Sequence, residues 1–260
     1  MLILVTNDDG IHSPGIQVLA DRLSRVGRVV VIAPDRERSA AGHSMTLHSP
    51  LRADEIRPNW FSVDGTPTDC VHLGIHGLLD HPPAIVVSGI NRGGNMGDDI
   101  TYSGTVSAAM EATLMGVPAF AVSLESRRFQ EDDFFAAADF SAALTQHVLG
   151  NGLPADTFLN VNVPVGSIEG VQLTRQGKRI YQDVIIEKLD PRGKKYYWIG
   201  GGDMSFEDLE GTDFHAVHNG YVSITPLHLD LTNYRSFADL ETWDWNFSFN
   251  KTAGFSSSTE

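Results

Sequence analysis

Leu2-Ile3-Leu4-Val5-Thr6-Asn7-Asp8-Asp9-Gly10 sets an apolar β-type run directly in front of two adjacent carboxylates. A run of this kind reads as a strand covered on both faces, the mark of a parallel sheet. Ligands of open parallel sheets collect beyond the carboxyl ends of such strands. Two anionic side chains placed there are costly unless something cationic neutralises them, so the position suits a hard metal ion. Asp9-Gly10 is also a common turn dipeptide, and taken alone it reads equally well as a turn. Adjacent side chains on extended backbone point to opposite faces. Asp8 and Asp9 therefore reach one ion only if the chain turns between them, which Gly10 makes easier; otherwise one is a ligand and the other orients water or a neighbouring loop.

Working outward, further strand-like runs occur at Val29 to Ala33, Ala84 to Ile90, Pro118 to Leu124 and Thr157 to Val163, with helix-like stretches between most of them. That alternation predicts an α/β fold, a doubly wound, mostly parallel sheet with helices on both faces. The first helix has Ser13 as N-cap, Pro14 at the first position, and Ile16, Leu19, Ala20 and Leu23 at helical spacing. A second starts at Thr66-Pro67-Thr68-Asp69, with Asp69 in the positive first turn, and continues through Val71, Leu73, Leu78 and Leu79. Residues 104 to 115 and 133 to 148 make two more, the first rich in small residues and able to pack closely.

After about residue 165 the pattern shifts to shorter strand-like pieces broken by Gly, Pro and charge, such as Gln176-Gly-Lys-Arg179 and Asp190-Pro-Arg-Gly-Lys-Lys195. These predict hairpins added to the sheet, and Tyr221 to Leu227 reads as one more strand. The expected organisation is a core over 1–165 and a strand and hairpin extension over 166–260 that returns partly to the core. Trp243 and Trp245 suit packing against another element or another subunit. The Ser-rich end from Ser256 reads as disordered.

A chain of 260 residues with 42% hydrophobic and 20% charged content can bury a substantial core. Its formal net charge of −14 disfavours a sequence-independent grip on nucleic acid, which needs many cations against the phosphates. A small anionic substrate remains compatible where a metal or helix amides supply local positive potential. One cysteine, Cys70, leaves no internal disulfide framework and fits a reducing compartment; its apolar neighbours place it in the core. Met1 leads straight into the first strand, and no apolar run is long enough to span a bilayer. The expectation is a cytoplasmic protein without membrane contact.

Polar groups follow several predicted strands: Asp8 and Asp9 the first, Arg36, Arg38 and Ser39 the second, Asn91 the run Val86 to Ile90. In a doubly wound sheet these loops share one edge, so the groups converge. Carboxylate, hydroxyl and amide oxygens suit Mg²⁺, Mn²⁺ or Ca²⁺, whereas zinc more often takes His or Cys. A hard dication with several waters left on it is expected. Asn91 to Val106 then forms a Gly-rich loop entering a small-residue helix. Gly93, Gly94 and Gly97 permit close backbone approach, and Ser103, Gly104 and Thr105 would offer hydroxyls and amides to a phosphate. Taken alone the same segment reads equally well as an ordinary N-capped helix. Asn95, in that loop, is a further candidate for the substrate. His43 near Ser39 could donate a proton or bind phosphate, or simply be solvated. Arg36 and Arg38 could offset substrate charge, while Lys178, Arg179, Lys194 and Lys195 read as a solvated face.

Several segments are more particular than these arguments require: Thr6-Asn-Asp-Asp-Gly-Ile-His-Ser-Pro-Gly15, Ala33-Pro-Asp-Arg-Glu-Arg-Ser-Ala-Ala-Gly-His-Ser44, Gly65-Thr-Pro-Thr-Asp-Cys70, Val87-Ser-Gly-Ile-Asn-Arg-Gly-Gly-Asn-Met-Gly97 and Tyr102-Ser-Gly-Thr-Val106. With Asn160-Val-Asn-Val-Pro164, Tyr197-Trp198 and Gly220-Tyr-Val-Ser-Ile-Thr-Pro226, the chain resembles the stationary-phase survival protein family (SurE) over nearly its whole length, with only the end beyond about Tyr234 unmatched. The resemblance implies a Rossmann-like core and a C-terminal extension that mediates dimer or tetramer formation. It also implies metal-dependent hydrolysis of nucleoside 5′-monophosphates, with 3′-monophosphates and short polyphosphates as further substrates in some members. Carried over by position, Asp8, Asp9, Ser39 and Asn91 match the ligands of one divalent ion per subunit, and Ser103, Gly104 and Thr105 match the phosphate-holding segment.

The expected chemistry is phosphomonoester hydrolysis at Asp8 and Asp9, with Asn7 as an additional hydrogen-bond donor. A rival enzyme reading is an aspartyl-phosphate phosphatase; such enzymes space their carboxylates as Asp-x-Asp, whereas these are adjacent. A rival from another class is a nucleotide-sensing regulator that binds without turnover.

Overall fold

The strand opened by Leu2 lies inside a sheet whose strands alternate their side chains between two helical layers. In the computed structural model, residues 1–126, 129–180, 185–199 and 205–246 are described. The strands are β1 (Leu2–Thr6), β2 (Arg28–Pro34), β3 (Ala53–Arg57), β4 (Trp60–Val63), β5 (Ile85–Arg92), β6 (Ala119–Glu125), β7 (Thr157–Pro164), β8 (Gly170–Leu173), β9 (Arg179–Ile180), β10 (Ile185–Leu189), β11 (Lys195–Ile199), β12 (Ser205–Phe206) and β13 (Tyr221–His228). Among the described residues, nine of them form one sheet in the order β3-β4-β2-β1-β5-β6-β7-β13-β8. The pairings from β4 through β7 are parallel, and only β3 against β4 and β13 against β7 run antiparallel.

Helices α1 (Pro14–Leu23), α2 (Pro67–Leu73), α3 (Gly104–Leu114), α4 (Phe134–Asn151) and α5 (Asp213–His218) cover this sheet. Residues one apart on each strand enter different layers, as the two-residue strand period requires. Ile3, Val5, Val31, Val87, Phe120 and Val122 pack with Ile16 and Leu19 of α1 and Phe134 and Ala138 of α4. Leu4, Val30, Ile32, Val86 and Ala121 pack on the other face with Cys70 and Val71 of α2 and Ala108, Ala109 and Ala112 of α3. Cys70 is buried as expected. Truncating a fully buried side chain such as Leu19 to alanine would cost about 2–5 kcal/mol.

The sequence-derived core strands and helices are all present with shifts of one to three residues at their ends, and two departures have clear causes. The helix opened by Thr66 keeps its reciprocal cap with Asp69 but leaves α geometry at Leu73 and closes in a π-helical turn over Gly74–Leu78. The strand opened by Ile85 runs on to Arg92 through a bulge: Ser88 faces Ala121, yet Asn91 faces Ser123. One extra residue on β5 re-aims the side chains beyond it.

The expectation that the late hairpins join the sheet holds only for β13 and β8. β10 and β11 pair with each other alone, as β9 does with β12. Ile185, Leu189, Tyr197, Trp198 and Ile199 on that ribbon are exposed, so no buried face binds it to the larger sheet.

By contacts the chain divides into two units, Met1–Leu229 and Asp230–Glu260. The second holds α6 (Phe237–Leu240) and a stacked pair, Trp243 and Trp245, with ring centroids 5.7 Å apart. The Ser-rich end from Ser256 lies outside the described residues. Among the described residues no helix is long and apolar enough to cross a membrane.

Candidate active site

The parallel strands all end at one edge, and the loops that leave it build a cleft of about 390 Å³ whose lining includes Asp8, Asp9, Glu37, Ser39, Asn91, Asn95 and Ser103. The β1 and β2 loops are locked together: the Arg38 N–H donates to the Asp8 carbonyl at 2.8 Å, and the Ile11 N–H to the Pro34 carbonyl at 2.8 Å. Gly10 makes the turn the two aspartates need. Its φ is +91°, and a Cβ there would meet the Arg36 carbonyl carbon at 2.9 Å.

Asp8 is buried at the start of α3, where Thr105 bonds it with both backbone N–H (3.2 Å) and hydroxyl. A helix N-terminus favours such an anion. Burial nevertheless raises its pKa, with those hydrogen bonds opposing the rise. Asp9 accepts from the Arg92 N–H at 3.1 Å. Burial, then the facing Asp8 charge, pushes it up to about 6. Glu37 adds a further carboxylate and accepts from the Ser39 hydroxyl at 2.7 Å. Asn91 donates through Nδ2 to the Gly93 carbonyl at 2.8 Å, a bond that does not use its side-chain oxygen.

Among the described residues no three His, Cys, Asp or Glu side chains gather as a ligand set. The cleft's oxygen groups include the Asp8 and Asp9 carboxylates, the Ser39 hydroxyl and the Asn91 amide, a set that fits a hard dication. A buried carboxylate and a neighbour whose pKa it raises are the electrostatic partner of such an ion.

Ser39, Asn91, Asn95 and Ser103 therefore meet the two aspartates, while six other sequence-derived candidates take different roles. Asn7 is buried and donates to the Gly10 carbonyl (3.0 Å) and the Ser13 hydroxyl (2.8 Å), so its amide hydrogens hold the turn. Thr105 spends its donors on Asp8. Gly104 is required for close approach: a Cβ there would meet the Asp8 Cβ at 2.9 Å. His43 turns away to buried Glu111 (Nε2 to Oε2, 2.8 Å), which His72 also meets at 3.2 Å. A carboxylate inside α3 captures that imidazole because burial leaves it in need of donors. Arg38 is committed to Asp35 and the Asp64 carbonyl, and Arg36 lies beside Asp35.

The Gly-rich loop is anchored by residues to which the sequence reading assigns no role. The Asn95 carbonyl accepts from Asn160 (2.7 Å) and Asn162 (3.0 Å), its N–H donates to Asn162 Oδ1, and its side chain donates to Ser123. Asp213 accepts from the N–H groups of Gly97, Gly177 and Phe214, each at 2.8 Å. The signal was present in Asn160-Val-Asn162: two amides at strand period put carboxamides on one buried face, where packing alone would choose an apolar residue.

Residues 3–183 match the family model described as Survival protein SurE. The chain belongs to the SurE family. It is 65% identical over 248 residues to the 5′-nucleotidase SurE of Syntrophotalea carbinolica, covering 95% of this chain and 99% of that one. The protein of the same name from Geobacter metallireducens is 64% identical, with 94% and 98% covered. The crystal structure of the SurE protein from Aquifex aeolicus superposes with a TM-score of 0.81 at 46% identity, covering 93% of this chain and 98% of that one. The mostly parallel fold with helices on both faces is thus shared over most of the chain.

Proposed function

We propose that this chain is a metal-dependent 5′-nucleotidase that hydrolyses nucleoside 5′-monophosphates to nucleoside and phosphate, as the names of its SurE relatives state for them. The observation that carries the reading is the meeting of Asp8, Asp9, Ser39 and Asn91, from three separate strand ends, beside the Ser103 helix start. In this reading 3′-monophosphates and short polyphosphates are further substrates.

Asp8, Asp9, Ser39 and Asn91 would hold one divalent ion per subunit, Mg²⁺ or Mn²⁺ with Ca²⁺ able to take the same oxygens; when bound it would polarise a phosphoryl oxygen and supply or orient the attacking water. Thr105 fixes the Asp8 carboxylate, and the Arg92 N–H fixes Asp9, so both keep their orientation as substrate arrives. The Ser103 hydroxyl accepts from the Val106 N–H at 3.1 Å, which leaves its own proton for a phosphoryl oxygen. Asn95, held rigid by Ser123 and Asn162, keeps one amide hydrogen for the same purpose.

Phosphate release from a panel of nucleoside monophosphates, with and without chelator, tests this. Turnover that stops on chelation and returns with Mn²⁺ or Mg²⁺ is expected; metal-independent turnover, or binding without release, would sink it.

A homodimer or homotetramer in the cytoplasm completes the proposal, with 1–165 as the catalytic core and 166–260 as an extension that returns partly to the core and carries the assembling segment. The exposed aromatic and aliphatic residues of the β10–β11 ribbon support assembly, and light scattering measures it.

A further inference from the structure

Beside the acidic cleft lies a larger one of about 940 Å³, and the two share Arg92, Gly94 and Asp99. Between Arg92 and Asp99 the rim is low where glycines form it: a Cβ on Gly94 would meet the Glu125 carboxylate at 2.6 Å, and Gly93 has φ +101°. Beyond that rim the lining turns aromatic. Half-buried Phe206 stacks on buried Phe214 with centroids 4.9 Å apart and planes 7° from parallel, and half-buried Phe129 lines the same opening. Arg92 stands where the two clefts meet, and beyond it Arg179 is paired with Asp99 and lies 4.8 Å from the centre of the Phe214 ring. With the Arg179 charge balanced, the Phe206–Phe214 stack, with the His218 ring 5.7 Å from Phe206, forms the aromatic part of the wall.

We propose that this aromatic cleft receives the base of the nucleotide whose phosphate lies at Asp8, Asp9 and Asn91, with Phe206 as the stacking face and purines favoured over pyrimidines. The inference rests on the nucleotidase reading above. A nucleotide has one dianionic end and one flat apolar end, and the two adjoining cavities differ in the same way. Every base has a π-face, and the larger ring system of a purine covers more of a phenylalanine.

The test compares wild type with Phe206→Leu, which keeps apolar volume but loses the ring, and with Phe206→Trp, which restores a ring. Each is assayed with Mn²⁺ on AMP, CMP and ribose 5-phosphate. In the leucine variant KM for AMP should rise about tenfold, that for CMP less, and that for ribose 5-phosphate by no more than about twofold; tryptophan should return KM for AMP to the wild-type range or below. Turnover of ribose 5-phosphate reports an intact fold. An unchanged KM for AMP in the leucine variant, or an equal rise with ribose 5-phosphate, overturns the base site and leaves the phosphatase reading standing. Wild-type protein that releases phosphate from none of the three would remove the nucleotidase reading and this inference with it.

Discussion

Thr105 donates to Asp8 twice, from its backbone N–H to Oδ2 and from its hydroxyl to Oδ1. The helix that was expected to cradle phosphate thus holds a carboxylate. Thr105→Val keeps the shape and the N–H and removes only the hydroxyl. It should weaken Mn²⁺ affinity and kcat/KM by about 10- to 100-fold with little loss of stability. Isothermal titration with Mn²⁺ and phosphate release measure the two effects; an unchanged affinity would separate Thr105 from the site.

Asp8→Asn removes a buried charge without changing its outline. Phosphate release should fall by at least about a hundredfold. Thermal unfolding in chelator should stay near wild type, because the raised pKa of Asp8 shows that burial works against its charge. In wild type, Mn²⁺ at about 100 times Kd should add about 2.7 kcal/mol of stability. The asparagine variant should show a much smaller shift at the same concentration.

Asp213 ties the backbone N–H groups of Gly97 and Gly177, from two loops, to the start of α5, where it also accepts from the Phe214 N–H. Asp213→Ala would leave them without that acceptor, and burial of unsatisfied donors costs about 1–3 kcal/mol per group. A loss of about 3 kcal/mol or more in urea unfolding is expected, together with reduced activity through the loosened Gly97 loop. Wild-type stability in this variant would show that other acceptors take over.

Glu111 is held below its usual 4.5 by hydrogen bonds, first from His43 and then from His72, against the opposing effect of burial. A depressed carboxyl stabilises the fold above its unfolded pKa, and that contribution is lost as pH falls through the lower folded value. The stability advantage of wild type over Glu111→Gln should therefore be full at neutral pH and shrink below 4.5. Paired thermal scans across that range check the sign, and a difference that grows toward acid would contradict it.

The central sheet was legible because its strands are unbroken apolar runs, as strands covered on both faces must be. The β3–β4 hairpin was not, since Ala53-Asp-Glu-Ile-Arg57 shows four of its five residues to solvent and carries no such pattern. At the site, Asp8, Asp9, Ser39 and Asn91 could be gathered from the rule that parallel strands end at one edge. Glu37 escaped notice because an exposed loop glutamate looks like any other surface charge. Thr105 was noticed for its hydroxyl and amide, but which anion they serve depends on how close α3 comes to β1, and that closeness depends on Gly104. His43 was placed near Ser39 by sequence, yet its partner Glu111 lies 68 residues on.

β13 is among the last strands to be synthesised, yet it sits between β7 and β8 rather than at a margin. Until a ribosome has released the chain through about His228, β7 offers a bare row of amides and carbonyls to any passing extended peptide. Premature termination, or slow translation across residues 165 to 220, would prolong that exposure. Self-association should therefore rise in nascent chains that stop short of this strand.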